Sequence, residues 1–150
     1  MTRKLERILI AIDDTPSSAA AIDQGLALAS GEGAEVVFVN VVSIVGEQFV
    51  PGDGKPDRVP ERAQTEVLVA ATAQAEELGV PCTTELLVGY PPAQIAALAD
   101  DLDVDLVVVG SRNLHGVKRF LLGSTSRALI SDSTRPLLVV PEPVPAPALT

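Results

Sequence analysis

Short, unbroken apolar runs alternate along this chain with longer segments of helical period. The runs are Arg7–Asp13 (RILIAID), Glu35–Val42 (EVVFVNVV), Thr83–Gly89 (TTELLVG), Asp105–Gly110 (DLVVVG) and Pro136–Pro141 (PLLVVP). Several have no polar face, the pattern of strands covered on both sides of a sheet. Between them, apolar positions recur at helical spacing. A first helix is expected to be capped by Thr15, with Pro16 at its first position, where a missing N–H costs nothing. It should align Ala19, Ile22, Leu26 and Ala29 on one face and end at Gly31. A second helix is expected from about Arg62 to Leu78, stopping at Gly79. A third follows Tyr90-Pro91-Pro92 and groups Ile95, Leu98, Ala99 and Leu102. A fourth opens near Ser124 and turns Leu129 and Ile130 inward. The order β-α-β-α-β-α-β-α-β, with right-handed crossovers, predicts a parallel sheet sandwiched between helices.

One connection is longer than α/β loops usually are. Ser43–Pro60 reads SIVGEQFVPGDGKPDRVP and leaves the C-terminal end of the second strand, the side on which such sheets bind ligands. It reads either as a floppy insertion or as a lid that closes Phe49 and Val50 over a bound base. Neither an internal repeat nor a second domain is visible, so residues 1–141 are expected to form one domain. Residues 142–150 (EPVPAPALT) read as a proline-rich flexible tail.

Composition narrows the function classes. With three Phe, one Tyr and no Trp, the core must be built from Val, Leu, Ile and Ala. A net charge of -9 argues against a general nucleic-acid binder, which presents a basic face. The single cysteine, Cys82, excludes an intrachain disulfide, fits a reducing cytosol, and reads as a buried packing residue. The N-terminal MTRKLERILIAI lacks the pattern of a signal peptide, and no segment approaches the roughly 20 apolar residues of a membrane span. The expectation is a soluble, cytoplasmic protein.

Against that acidic background, the stretch Val107–Leu129 stands out. No Asp or Glu occurs between Asp105 and Asp132, whereas Arg112, Lys118, Arg119 and Arg127 do. Phosphate needs backbone N–H groups without a Cβ in the way, a helix N-terminus and modest positive charge. Gly110 and Gly123 permit close backbone approach, and Gly123-Ser124-Thr125 opens the fourth helix, whose first N–H groups have no intrahelical partner. In an open α/β sheet the ligand crevice lies where strand order reverses, at the carboxyl ends of the strands. If the first and fourth strands are neighbours, Asp13 and the loop from Gly110 face each other there.

Other residues invite weaker readings. His115, the only histidine, reads as an exposed loop residue. Asp13-Asp14 are adjacent and are expected to point to opposite faces, with Asp14 helping to cap the first helix. Tyr90 stacks on a base or simply belongs to a turn. Metal-ligand clusters, a P-loop and a nucleophile elbow are all missing from the sequence.

Taken together, Arg7–Val140 resembles a universal stress protein. That family's phosphate loop has the pattern G-x2-G-x9-G-S/T, which Gly110, Gly123 and Ser124 match in spacing, while Asn113 stands in place of the middle glycine. Asn is the non-glycine residue best able to enter the left-handed region. The opening ILIAIDDTPSSAAAI resembles the family's first strand and RPLLVVP its last. The resemblance implies a Rossmann-like three-layer α/β/α sandwich whose five parallel strands run in the order 3-2-1-4-5. It implies ATP binding, with magnesium carried on the phosphates, and a homodimer formed through the last strand. It places Ala11 and Val41 in the adenine pocket, Asp13 near the ribose or metal, and Val109 beside the ribose. Gly110, Arg112, Asn113, Gly123, Ser124 and Thr125 surround the phosphates. The function expected is a sensory or regulatory nucleotide-holding dimer in stress response. The alternatives are a member that has lost the nucleotide and acts as a dimeric interaction module, a slow ATPase, or a holder of AMP or cyclic AMP.

Overall fold

Ile8, Leu9 and Ile10 are each fully buried, although neighbouring residues of a strand point to opposite faces. That is possible only if both faces of the sheet are covered, and a computed structural model, which describes residues 4–42, 54–59, 64–111 and 124–142, shows how. Five strands, β1 (Arg7–Ala11), β2 (Glu35–Val42), β3 (Cys82–Val88), β4 (Leu106–Gly110) and β5 (Leu137–Val140), form one sheet in the order β3-β2-β1-β4-β5. Every neighbouring pair is parallel. The four helices among the described residues are α1 (Pro16–Glu32), α2 (Glu66–Glu77), α3 (Pro91–Asp101) and α4 (Ser124–Asp132). Ile8, Ile10, Val36, Phe38 and Val108 pack with residues of α1 and α2. Leu9, Val37, Val39, Val107 and Val109 pack with Ile95, Leu98 and Ala99 of α3 and Leu129 of α4. The expected three-layer sandwich and strand order are therefore observed. No described helix is long and apolar enough to cross a membrane.

Helix boundaries depart from expectation where local chemistry decides them. Gly31 lies inside α1; the helix ends at Gly33, whose φ of 69° is left-handed. Ala34 N–H then donates to Ala29 C=O at 2.9 Å, closing the C-terminal turn. Thr15 occupies the cap position of α1, but its side chain caps nothing. Ala19 is exposed, and the buried stripe runs instead through Ser18, Ala21, Ile22, Gly25, Leu26 and Ala29. Helix α2 starts at Glu66, later than Arg62, because Thr65 is still extended (φ −87°, ψ 160°). Leu129 is buried as expected, whereas Ile130 is 55% exposed and faces outward. Cys82 is half-buried at the start of β3, and desolvation pushes its thiol pKa up, so the reactive thiolate is disfavoured.

The long connection after β2 is anchored in its second half. Arg58 forms an antiparallel bridge with Leu87, Val59 N–H donates to Leu86 C=O at 2.9 Å, and Val88 N–H donates to Asp57 C=O at 3.0 Å. This strap covers the outer edge of β3. Gln94, only 6% exposed, clasps it from α3: Asp57 N–H donates to Gln94 Oε1 at 2.7 Å, and Gln94 Nε2 donates to Asp57 Oδ2 at 3.0 Å. Arg58 also pairs with Glu85 and Asp101, at 3.1 and 2.7 Å. These ion pairs are solvent-exposed and contribute at most about 1 kcal/mol each, so the main chain and the Gln94 clasp do most of the holding. Residues 54–59 are thus not a floppy insertion. The lid expectation for Phe49 and Val50 lies outside the described residues, as does residues 143–150 of the expected tail.

Removing the clasp has a defined cost. Asp57→Ala takes a partner from the buried Gln94 amide and is expected to destabilise the fold by about 1–3 kcal/mol. Urea denaturation measures the loss, and limited proteolysis should cut the 54–59 strap faster than in the wild type.

Candidate functional site

The chain leaves β1 under tight control. Ile12 N–H still bonds Val39 C=O at 2.8 Å, but its own carbonyl accepts from the Asn40 side-chain amide at 3.0 Å. One residue later Asp13 N–H turns away from the sheet to Ser18 Oγ, at 2.8 Å. The strand therefore stops at Ala11 rather than Asp13. Asp13 Oδ1 accepts from Thr15 N–H at 2.9 Å, from Ser18 Oγ at 2.8 Å, and from the Thr15 hydroxyl. It is Asp13, not Asp14, that organises the entry to α1.

Because β1 lies between β2 and β4, the chain turns opposite ways from the ends of β1 and β4, and a cleft of about 190 Å³ opens there. Its apolar side is made by Ala11, Val39, Val41 and Val109 at the strand ends, with Pro91 and Ile95 from the start of α3. Its polar side is made by Asp13, Asp14, Ser17 and Ser18 of the β1–α1 turn and by Thr125 and Ser126 in the first turn of α4. Both carboxylates line the same cleft; the expectation of opposite faces holds for a strand, and this pair lies beyond one.

Gly110 is required for a reason other than the one its loop suggests. A Cβ there would lie within 2.6 Å of the carbonyl carbon of Ser17, would overlap its oxygen, and would sit 3.0 Å from its Cβ. The first turn of α1 thus packs directly on the end of β4. Ser111 follows, fully buried, with its N–H on Val140 C=O at 2.9 Å and its Oγ without a hydrogen-bond partner among the described residues.

Of the residues singled out from the sequence, Ala11, Asp13, Val41, Val109, Gly110 and Thr125 come together around the cleft. Ser124 begins α4. Arg112, Asn113 and Gly123 lie outside the described residues, as do Lys118, Arg119 and His115. Tyr90 precedes α3, is half exposed, and is not among the cleft-lining residues. Sequence reasoning missed Ser17, Ser18, Ser126, Pro91 and Ile95. A usable signal was present for Ser18: a hydroxyl five positions after an Asp that follows an apolar run suits the turn that such a residue closes. Among the described residues no group of three or more His, Cys, Asp or Glu is arranged to hold a metal ion.

The chain's relatives share this arrangement of strands and helices. The model of the universal stress protein family matches residues 4–141. The chain belongs to the universal stress protein family. It is 33% identical to the universal stress protein YxiE of Bacillus subtilis over 145 residues, spanning 89% of this chain and 97% of the relative. With the universal stress protein MJ0531 of Methanocaldococcus jannaschii it shares 31% identity over 141 residues, 92% of this chain and 83% of the other. Among solved structures, it is similar to a universal stress protein crystallised in complex with cAMP (TM-score 0.70, 22% identity, covering 94% of this chain and 100% of that one). It is also similar to the family protein At3g01520 of Arabidopsis thaliana with AMP bound (TM-score 0.67, 18% identity, 93% of each chain). At these identities the structural likeness speaks for the fold.

The Gly110 contact yields a direct test. Gly110→Ala forces main chain against main chain and is expected to cost about 1–3 kcal/mol, measured by urea denaturation. A neutral outcome would show that α1 does not sit as tightly on β4 as described.

Proposed function

We propose that this universal stress protein is an adenine-nucleotide-holding module, with ATP as its principal ligand and a sensory or regulatory role. The observation that carries the reading is the cleft's division into an apolar side and a polar side at the strand-order reversal, which suits a flat base on one side and a sugar phosphate on the other. Ala11, Val41 and Val109 would receive the base and sugar. The start of α4, with Thr125 and Ser126, would receive phosphate at its N-terminal end. Ser111 Oγ, a buried acceptor and donor without a partner among the described residues, is the kind of group that a ligand satisfies. The complexes of relatives with cAMP and AMP favour an adenine ligand as the class. Magnesium, where present, would screen the phosphates from Asp13 and Asp14, held chiefly by the phosphates themselves.

The same proposal includes a cytoplasmic homodimer paired through β5. Leu137, Leu138 and Val139 are only half-buried in the single chain, and the outer edge of β5 takes no strand among the described residues. A second reading, an interaction module without nucleotide, rests on Asn113 in the position where the family pattern has glycine.

Both readings meet in one experiment. Mass spectrometry of small molecules released from the denatured, freshly purified protein should find adenine nucleotide. For protein stripped of ligand, ATP-Mg at about 100 times its dissociation constant is expected to raise Tm by roughly 5–10 °C. No released nucleotide and no shift with ATP, AMP or cyclic AMP would remove the nucleotide reading. In that event a large gain of affinity in Asn113→Gly would support loss of the ligand in the natural chain.

A further inference from the structure

The strap on β3 sends no side chain into the core. Each of residues 54–59 is exposed or only half-buried. Its principal bonds are Val59 N–H to Leu86 C=O, Val88 N–H to Asp57 C=O, the exposed ion pairs of Arg58 and the Gln94 clasp. A segment held in this way opens locally, at far less cost than unfolding the sheet beneath it.

What the strap grips belongs to the wall of the cleft. Gln94 lies in the first turn of α3, where its N–H donates to Tyr90 C=O at 3.0 Å, and its neighbours on that turn, Pro91 and Ile95, both line the cleft. Its side chain is wedged against Gly89, in the turn that joins β3 to α3; a Cβ at Gly89 would lie 3.3 Å from it. Gly89 N–H donates in turn to Val42 C=O at 3.0 Å, one residue beyond the cleft residue Val41. The start of α3 has no side-chain cap, and Pro91 and Pro92 have no N–H to donate, so packing rather than capping sets its position.

Both polar atoms of the Gln94 amide are committed to Asp57. A buried amide that loses such partners is costly to leave in place. Release of the strap therefore drives Gln94 outward, withdraws the wedge from Gly89 and loosens the turn that places Pro91 and Ile95. A ligand resting on those two residues favours the arrangement in which the turn is fixed, and a ligand shifts a two-state equilibrium only through such a difference.

We infer that strap and cleft are coupled: docking of residues 57–59 and occupation of the cleft favour each other through Gln94 and the first turn of α3. Occupation of the cleft is thereby reported at the outer edge of the sheet. The inference rests on the adenine-nucleotide reading above, which supplies the probe. Linkage makes it reciprocal: the factor by which ligand favours the docked strap is the factor by which the docked strap tightens binding.

Hydrogen–deuterium exchange and calorimetric titration test the two halves of that statement, with ATP-Mg as probe, or AMP if AMP binds more tightly. In the wild type, saturating nucleotide is expected to slow exchange of the Val59 and Val88 amides at least about five-fold, the low end of ordinary coupling between sites. Asp57→Ala, at a residue outside the cleft lining, should speed exchange of the strap and weaken nucleotide binding by a similar factor. Asp57→Asn keeps an acceptor for the Gln94 amide and should restore most of the affinity. An uncoupled strap opens at the same rate whether or not nucleotide is bound, and its release leaves the affinity unchanged. Either result overturns the inference, although the nucleotide reading then survives. A wild type that binds neither ATP nor AMP overturns both. Should Asp57→Ala fail to fold, the exchange rates of the wild type decide alone.

Discussion

The close approach of α1 to the end of β4 organises the carboxyl end of this sheet. Glycine at position 110 lets the Ser17 main chain come to a distance that any side chain would forbid. With the helix seated there, its first turn overhangs the point where strand order reverses, and the β1–α1 turn must be tight. Asp13 closes that turn with its own carboxylate, and Ser17 and Ser18 are buried beside it. The same contact brings Asp13 of the first strand's turn and Gly110 of the fourth strand to a common cleft, although 97 positions of sequence separate them.

The cleft then acquires a polarity from the ordinary consequences of helix geometry. Helix α1 begins on one flank with a carboxylate already spent on its entry turn, and α4 begins on the other. The aliphatic strand ends between them are what remains of a core that both helical layers cover along its length. Binding chemistry is confined to the rim because the sheet interior offers Val, Leu, Ile and Phe38, with few polar atoms to spare.

Much of this was legible in the sequence, and for physical reasons. Unbroken apolar runs identified all five strands to within two residues at either end, because burial on both faces leaves no place for polar residues in the ILI of β1 or the VVV of β4. Helix ends were less legible. Gly31 and Gly33 offer the same cue two residues apart, and only the closing bond from Ala34 to Ala29 selects the second. Ala19 and Ile130 were assigned inward because small and apolar residues at helical spacing suggest a buried face; the actual face is set by which neighbour the helix meets. The candidate site shows a subtler limit. Gly110 was recognised as a place of close backbone approach, but the partner found there is a helix of the chain itself. Ser18 escaped notice because a serine inside a helix carries no periodic signal; its meaning comes from the residue five positions earlier.

The strap along β3 also limits how copies of this chain are able to join. A sheet with two open edges lends itself to end-to-end polymers, each copy adding a strand ladder to the next. Here residues 57–59 already occupy one side, leaving β5 as the margin without a strand neighbour among the described residues. Strand pairing through a single margin exhausts itself after two copies, since a pair joined that way has no further margin to offer. A short antiparallel segment, clasped by one buried glutamine, thereby occupies a place where a further copy would otherwise extend the sheet.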